Sequence, residues 1–235
     1  MSNIIIHQLE ISPFCDKVRR ALHFKGLDYS VVNVPMGELA KLKKKSAIGK
    51  VPVLEIDGEF IADSSTICRE LDRRFPDKPL LPSDPNHAAL ANILEDWADE
   101  SLYFFEMTMR FTWTYDRARW VTEILKYDNA VMRRLARPLV PYLTRKQGTL
   151  QGLAKRSEAD ILTELARHIT SLEAILNSNG DYLVGDSLSL ADISVLAQCE
   201  CIAGSSKGLP LIEQAPKLMT WMQRIEEQTG GPATR

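Results

Sequence analysis

The sequence predicts two folded units in series: an α/β domain with the order βαβ-ββα, then an all-α helical domain. Three observations carry this. A strand, a helix and a strand follow one another within about thirty residues, the size of a parallel βαβ unit with a right-handed crossover. Two further short strands meet at Asp57-Gly58 and run into a helix. Past a proline cluster the chain holds long amphipathic stretches and no convincing strand.

The first strand is Ile4 to Leu9, apolar and β-branched, and Ser12-Pro13 interrupts it. Cys15, Val18 and Leu22 then recur at helical spacing until Gly26, a glycine where a helix C-terminus favours one. Tyr29 to Val34 is the second strand. Lys41, Lys43, Lys44 and Lys45 lie in an irregular stretch whose plain reading is a solvated face. Val51 to Ile56 and Glu59 to Ala62 are joined by Asp57-Gly58, a dipeptide that accepts positive φ at both turn positions. Ser64 to Phe75 carries Ile67 and Leu71 four apart with basic residues near its end, as the helix dipole favours.

Pro76, Pro79, Pro82 and Pro85 are too dense for a helix or central strand, so residues 77–85 read as a linker between domains at 1–76 and 86–235. In the second domain Ile93, Trp97, Leu102 and Phe105 predict one long helix. Met107, Met109, Phe111, Trp113 and Tyr115 alternate, which is a poor helical stripe and predicts a kinked or extended segment. Pro138 and Pro141 are expected to break the next region. Ile161, Leu165, Ile169, Leu172 and Leu176 form a helical stripe that ends before Asn179-Gly180. Ser189 and Asp192 fit a capping box, with Leu188 and Ile193 placed as its hydrophobic staple.

Composition narrows the function classes. The chain has 235 residues, 45% hydrophobic and 26% charged, enough for a real core. A net charge of −2 gives no electrostatic reason to expect nucleic acid or a membrane surface as partner. No apolar run approaches a membrane span, and the N-terminus does not read as a secretion signal. Cys15, Cys68, Cys199 and Cys201 show neither a disulfide framework nor paired zinc spacing, so reduced thiols in a cytoplasmic protein are expected. His7, His23, His87 and His168 are scattered without ligand spacing, and no metal is expected.

Ser12-Pro13-Phe14-Cys15 between a strand and a helix, Gly49-Lys50-Val51-Pro52-Val53-Leu54 opening the hairpin, Asp63-Ser64 at the next helix start and the capped helix from Ser189 occur in one order. This set resembles the glutathione S-transferase superfamily over nearly the whole chain, with a serine-type turn and some likeness to omega and dehydroascorbate-reductase turns. The resemblance implies a thioredoxin-like N-terminal domain, glutathione as co-substrate, a small electrophile as second substrate and a homodimer.

It also implies roles. Ser12 stands where the family's catalytic serine or cysteine lies, and its hydroxyl would donate to the glutathione sulfur and favour the thiolate. Its plain structural role is a helix cap. Cys15 is the rival nucleophile, although losing the first cysteine of a Cys-x-x-Cys pattern excludes a dithiol cycle at this turn, and a small buried hydrophobe is the better reading. Phe14 belongs with the glutathione-binding turn. Val51-Pro52 resembles the cis-proline junction, where Val51 would pair with the cysteinyl amide of glutathione. Ser64 would hold the γ-glutamyl carboxylate, and Asp63, often glutamate in the family, its ammonium. Lys50 would face the glycyl carboxylate. Ser46-Ala47-Ile48 replaces a common Asn-Pro, so that loop is expected to differ. Tyr103, Arg110 and Trp113 are the expected acceptor-pocket residues, against the alternative that they pack the core. Arg133, Arg134 and Arg137 read as a solvated basic stripe, and Cys199-Glu200-Cys201 as packing.

The leading function is glutathione transfer. A glutathione-dependent isomerase, lyase, peroxidase or thiol reductase on the same fold is the alternative, as is a transferase-like binding or regulatory protein without activity.

Overall fold

The computed structural model describes residues 2–46 and 48–230; Ala47 of the turn considered above lies outside them, as does the side chain of Lys44. Its N-terminal domain holds a four-stranded mixed sheet in the order β2-β1-β3-β4. The strands are β1 (Ile4–Gln8), β2 (Ser30–Asn33), β3 (Val53–Ile56) and β4 (Glu59–Ala62). β1 pairs parallel with β2 from Ile5↔Ser30 and antiparallel with β3 from Ile4↔Ile56. The parallel pair needs the crossover supplied by α1 (Pro13–Lys25). The antiparallel pair β3 and β4 turns at Asp57 (φ 51) and Gly58 (φ 87), both positive as the dipeptide predicts. α2 (Ser64–Arg74) follows, so the observed order is the expected βαβ-ββα, with the lysine stretch coiled as a 3₁₀ helix over Met36–Lys44.

The first helix begins and ends as its sequence requires. Ser12 is its N-cap, Pro13 its first residue, and Gly26 closes it at φ 69. Leu27 N–H reaches back to the Leu22 carbonyl at 3.0 Å, which satisfies one of the free C-terminal acceptors. Cys15, Val18, Ala21 and Leu22 are fully buried, but so are Lys17 and Arg20. α1 is enclosed on every side because it lies between the sheet domain and the helical domain, so its charged residues must find partners inside.

The helical domain comprises α3 (Pro85–Trp97), α4 (Tyr103–Phe111), α5 (Arg117–Ile124), α6 (Ala130–Gln151), α7 (Glu158–Asn179), α8 (Leu190–Ala203), α9 (Leu209–Glu213) and α10 (Pro216–Thr229). A π-helical turn, Ala98–Leu102, joins α3 to α4, so the predicted long helix exists but is interrupted by one wide turn. Ile93, expected on its inner face, is exposed. Two expectations need correction. The alternating segment is helical through Phe111: α4 lies between α6 and α8, so Met107, Met109 and Phe111 are all buried and no single stripe is needed. Pro138 and Pro141 do not break the chain; both lie inside α6. The carbonyls they leave without donors belong to Arg134 and Arg137, both on the exposed side of the helix, where solvent can supply the missing bonds.

The capping box is present. Ser189 N–H donates to Asp192 Oδ2 at 2.9 Å and the Ser189 hydroxyl to the same oxygen at 2.8 Å. The core runs through both domains: Val18, Leu22, Leu54 and Ile67 join the same cluster as Leu102, Ile193 and Trp221. A smaller cluster gathers Met107, Phe111, Trp120 and Val140, with Ile11 packed against it.

Candidate active site

The turn between β1 and α1 presents two donors that no described residue uses. Ser12 Oγ accepts the Cys15 N–H at 3.4 Å, which commits a lone pair and leaves the hydroxyl proton free. The first four amides of a helix lack intrahelical partners. Ser12's goes to the Leu9 carbonyl at 3.1 Å, Pro13 has none to offer and Cys15's goes to Ser12 Oγ. Phe14's amide therefore remains, beside the Ser12 hydroxyl and at the positive end of α1. An anionic sulfur is the kind of group such a corner favours.

Cys15 lies under this turn. It is fully buried, and burial pushes its thiol up to about 11. Cys68 and Cys199 are pushed up to about 12 for the same reason, and burial also raises the Cys201 thiol. None of the four cysteines is in a disulfide.

The other expected glutathione-binding residues belong to two neighbouring elements. The Val51–Pro52 bond is cis and leads into β3, which pairs antiparallel with β1 and so begins beside the end of β1 that leads to the Ser12 turn. Asp63 caps α2, its carboxylate accepting Thr66 N–H at 2.9 Å, with φ at 78, a backbone conformation rare for a residue with a side chain. Ser64, next in the chain, is buried. Lys50 is exposed and makes no ion pair among the described residues. Lys45 is engaged instead, 4.7 Å from the Phe60 ring centroid and 3.7 Å from Glu55. Phe14 packs its ring on Tyr103 at 4.9 Å, which holds the turn against α4.

Beneath α2 lies an ionic cluster the sequence did not announce. Lys17 is bonded to Glu95, to Asp99 at 2.7 Å and to the Ser65 hydroxyl at 3.1 Å. Two buried carboxylates share Lys17, with the half-exposed Arg69 3.7 Å from Glu95, and burial raises Asp99 to about 6 despite the lysine. The π turn is what brings Asp99 to this position.

A cavity of about 1120 Å³ opens on the helical-domain side of the Ser12 turn. Ser12, Ile11 and Pro13 form one wall, and Arg110, Arg119 and Trp120 face it from the helical domain. Arg110 Nη2 donates to the Ile11 carbonyl at 3.1 Å, so α4 holds the Ser12 turn directly. Of the three expected pocket residues only Arg110 lines this cavity. Tyr103 sits beneath Phe14, and Trp113 is in the main core. Arg133, Arg134 and Arg137 are exposed on α6 and line no part of it.

A family model described as Glutathione S-transferase, N-terminal domain matches residues 6–79, and one described as Glutathione S-transferase, C-terminal domain matches residues 135–230. The chain belongs to the glutathione S-transferase superfamily. Among curated relatives, the isoprene-epoxide glutathione S-transferase of a Rhodococcus species is 27% identical over 229 residues, covering 93% of each chain. A probable maleylacetoacetate isomerase of Caenorhabditis elegans is 28% identical over 184 residues, covering 76% of this chain and 69% of that one. Among solved structures, a glutathione S-transferase of Methylobacterium radiotolerans in complex with glutathione sulfonate aligns with a TM-score of 0.64 at 22% identity, covering 99% of this chain and 97% of that one.

In this transferase-superfamily chain, sequence reasoning missed Trp120 and Arg119 on the cavity wall. They sit on α5, more than a hundred residues from Ser12, in a stretch with no motif. The adjacent Arg119-Trp120 pair was the sole local signal, and such pairs are common on surface helices.

Proposed function

We propose that the protein is a glutathione transferase that activates the glutathione thiol for attack on a small electrophile, with Ser12 as catalytic residue. The observation that carries this is the uncommitted Ser12 hydroxyl proton beside the free Phe14 amide, on the wall of a cavity large enough for a second substrate. Both donors favour the thiolate over the thiol, so more of the nucleophile exists at neutral pH. Val51 pairs with the peptide's cysteinyl unit through its backbone, with Pro52 fixing that stretch. Ser64 and Asp63 take the γ-glutamyl end, and Lys50 the glycyl carboxylate. Sulfur attack on the electrophile forms the thioether bond, and the leaving group or opened ring takes the electron pair.

The reading rests on glutathione binding, so retention on immobilised glutathione with release by free glutathione is the first test; a protein that flows through has neither this activity nor the other glutathione-dependent activities, which leaves a transferase-like protein without activity. Ser12→Ala is then expected to lower kcat/KM at pH 7 by about a hundredfold. If Cys15→Ser abolishes turnover at unchanged stability while Ser12→Ala does not, the assignment is reversed. A thiol reductase working through Cys15 is disfavoured by its full burial. Isomerisation through the same glutathione thiolate is the second reading, supported by the relative named a probable maleylacetoacetate isomerase.

The family implies a homodimer in the cytoplasm, and both belong to this proposal. Free cysteines fit a reducing compartment. Val131, Leu135, Leu139 and Leu150 leave an exposed apolar stripe on α6, unusual for a monomer's surface. Light scattering on the purified protein distinguishes monomer from dimer.

A further inference from the structure

The loop between α5 and α6 grips the N-terminal domain with three consecutive side chains. Lys126 Nζ and the Tyr127 hydroxyl both donate to Glu10 Oε2 at 2.9 Å, two residues before Ser12. Asp128 is buried and accepts Met36 N–H on Oδ2 at 3.0 Å and Gly37 N–H on Oδ1 at 2.8 Å. Those two amides open the 3₁₀ helix Met36–Lys44, whose preceding residue, Pro35, supplies no side-chain cap. A carboxylate accepting two free amides at the positive end of a helix does the work of an N-cap aspartate, here from 92 positions away in the chain.

The contact is close and its holder is fixed. A Cβ added at Gly37 would come within 2.8 Å of Met132 Cγ and 3.0 Å of Asp128 Oδ1, so the absent side chain lets the helix start sit against the loop and α6. Leu125 is anchored in the smaller core cluster, Asp128 N–H donates to its carbonyl at 3.0 Å, and the Asn129 side chain caps α6 through Met132 N–H at 2.9 Å. Lys126 and Tyr127 are exposed, so their bonds to Glu10 contribute little, and the buried Asp128 carries the attachment.

The segments held in this way bound the proposed glutathione site on two sides. Glu10 belongs to the Ser12 turn. The 3₁₀ helix runs on toward Lys50 and Val51 through turns closed by Ser46 N–H on the Leu42 carbonyl at 2.7 Å and Gly49 N–H on the Ser46 carbonyl at 3.1 Å. A shift at Met36 is therefore passed along the helix to the residues proposed to meet the peptide.

Resting on the transferase reading, we infer that Asp128 is a positioning residue for glutathione: by capping the 3₁₀ helix across the domain boundary, it keeps Lys50 and Val51 at the spacing from Ser12 that the peptide spans. Asp128 touches neither substrate, and the sulfur chemistry stays at Ser12. A protein whose 3₁₀ helix is docked for only a fraction of the time binds more weakly by that fraction, so loss of the cap shows in affinity and not in the state of the bound thiol.

Two variants attack the contact from opposite sides: Asp128→Ala removes the acceptor, and Gly37→Val pushes the helix start off it. Asp128→Asn keeps one acceptor and serves, with Gly37→Val, if the alanine protein does not fold. Calorimetry with glutathione gives Kd, the ultraviolet absorbance of bound thiolate gives the pKa of the bound thiol, and trypsin reports helix opening through Lys41, Lys43 and Lys50, all exposed. Asp128→Ala and Gly37→Val are expected to raise Kd about tenfold, and Asp128→Asn about threefold, with the bound thiol's pKa unchanged. Tryptic cleavage within 41–50 should quicken about tenfold in the same two variants without glutathione present. Asp192→Asn, which destabilises the helical domain away from this contact, should leave Kd and that cleavage as they are. Native Kd in the folded Asp128 and Gly37 variants, or an equal loss in Asp192→Asn, would overturn the inference and leave the transferase reading standing. A native protein that binds no glutathione removes the reading and the inference together, a result that the native sample alone identifies.

Discussion

Removing the Asp192 carboxylate should destabilise the helical domain more than any surface change. Asp192 is fully buried at the start of α8 and accepts four hydrogen bonds. These come from Leu183 N–H at 2.8 Å, Ser189 N–H at 2.9 Å, the Ser189 hydroxyl at 2.8 Å and Trp221 Nε1–H at 3.0 Å. One side chain thus ties the loop before α8, the helix start and α10 together. In Asp192→Ala the hydroxyl can rotate to another acceptor, but the two amides and the indole N–H cannot. A buried donor without an acceptor costs about 1–3 kcal/mol, so three of them cost about 4 kcal/mol or more. That is a large fraction of the about 5–15 kcal/mol that holds a domain folded. Asp192→Asn keeps an acceptor for Leu183 and Trp221 but turns an NH₂ toward the Ser189 amide, for a loss of about 2 kcal/mol. Urea denaturation followed by far-UV circular dichroism and by tryptophan fluorescence measures both. A loss under about 1 kcal/mol for Asp192→Ala, or an Asn variant weaker than the Ala variant, would refute this account of the capping box.

Three further outcomes are expected. Cys15 should resist iodoacetamide at pH 8 in the native protein and react once urea unfolds it, because burial holds its thiol near 11; mass spectrometry of the labelled peptide decides this. Stability should fall as pH rises from about 4 to about 6 through Asp99, whose folded value is raised from 3.8 to about 6, since the unfolded chain binds fewer protons there than the folded one. The contribution is about 3 kcal/mol, and Asp99→Asn should flatten the pH dependence of the urea midpoint, so an equal slope in both proteins contradicts the assignment. Pro138→Ala on the exposed face of α6 should stabilise the protein by about 1–2 kcal/mol in thermal melts, the helix gain being offset by a freer unfolded chain; a lower melting temperature would show that Pro138 is needed where it stands.

Local chemistry decided what was legible. Asp57-Gly58, the Ser12 cap with Pro13 behind it, Gly26 and the Ser189–Asp192 box each act within a few residues, so the sequence by itself determined those turns and helix ends and, through their order, the two-part fold. The same locality misled where context reversed it. Pro138 and Pro141 sit in a helix whose freed carbonyls belong to exposed residues, and the alternation from Met107 to Phe111 is helical because α4 is enclosed. Only the tertiary structure decided the surroundings of Ser12. Lys17 meets Asp99 across 82 positions in the chain, and Arg110 meets Ile11 across 99. Such pairings leave no periodic or local trace, because they arise when α1 is buried between two domains and its polar groups must be satisfied by whatever packs against it. The serine at the head of that helix was written in the sequence; the free proton on its hydroxyl, the buried cysteine beneath it and the arginine–tryptophan wall opposite it were settled by packing.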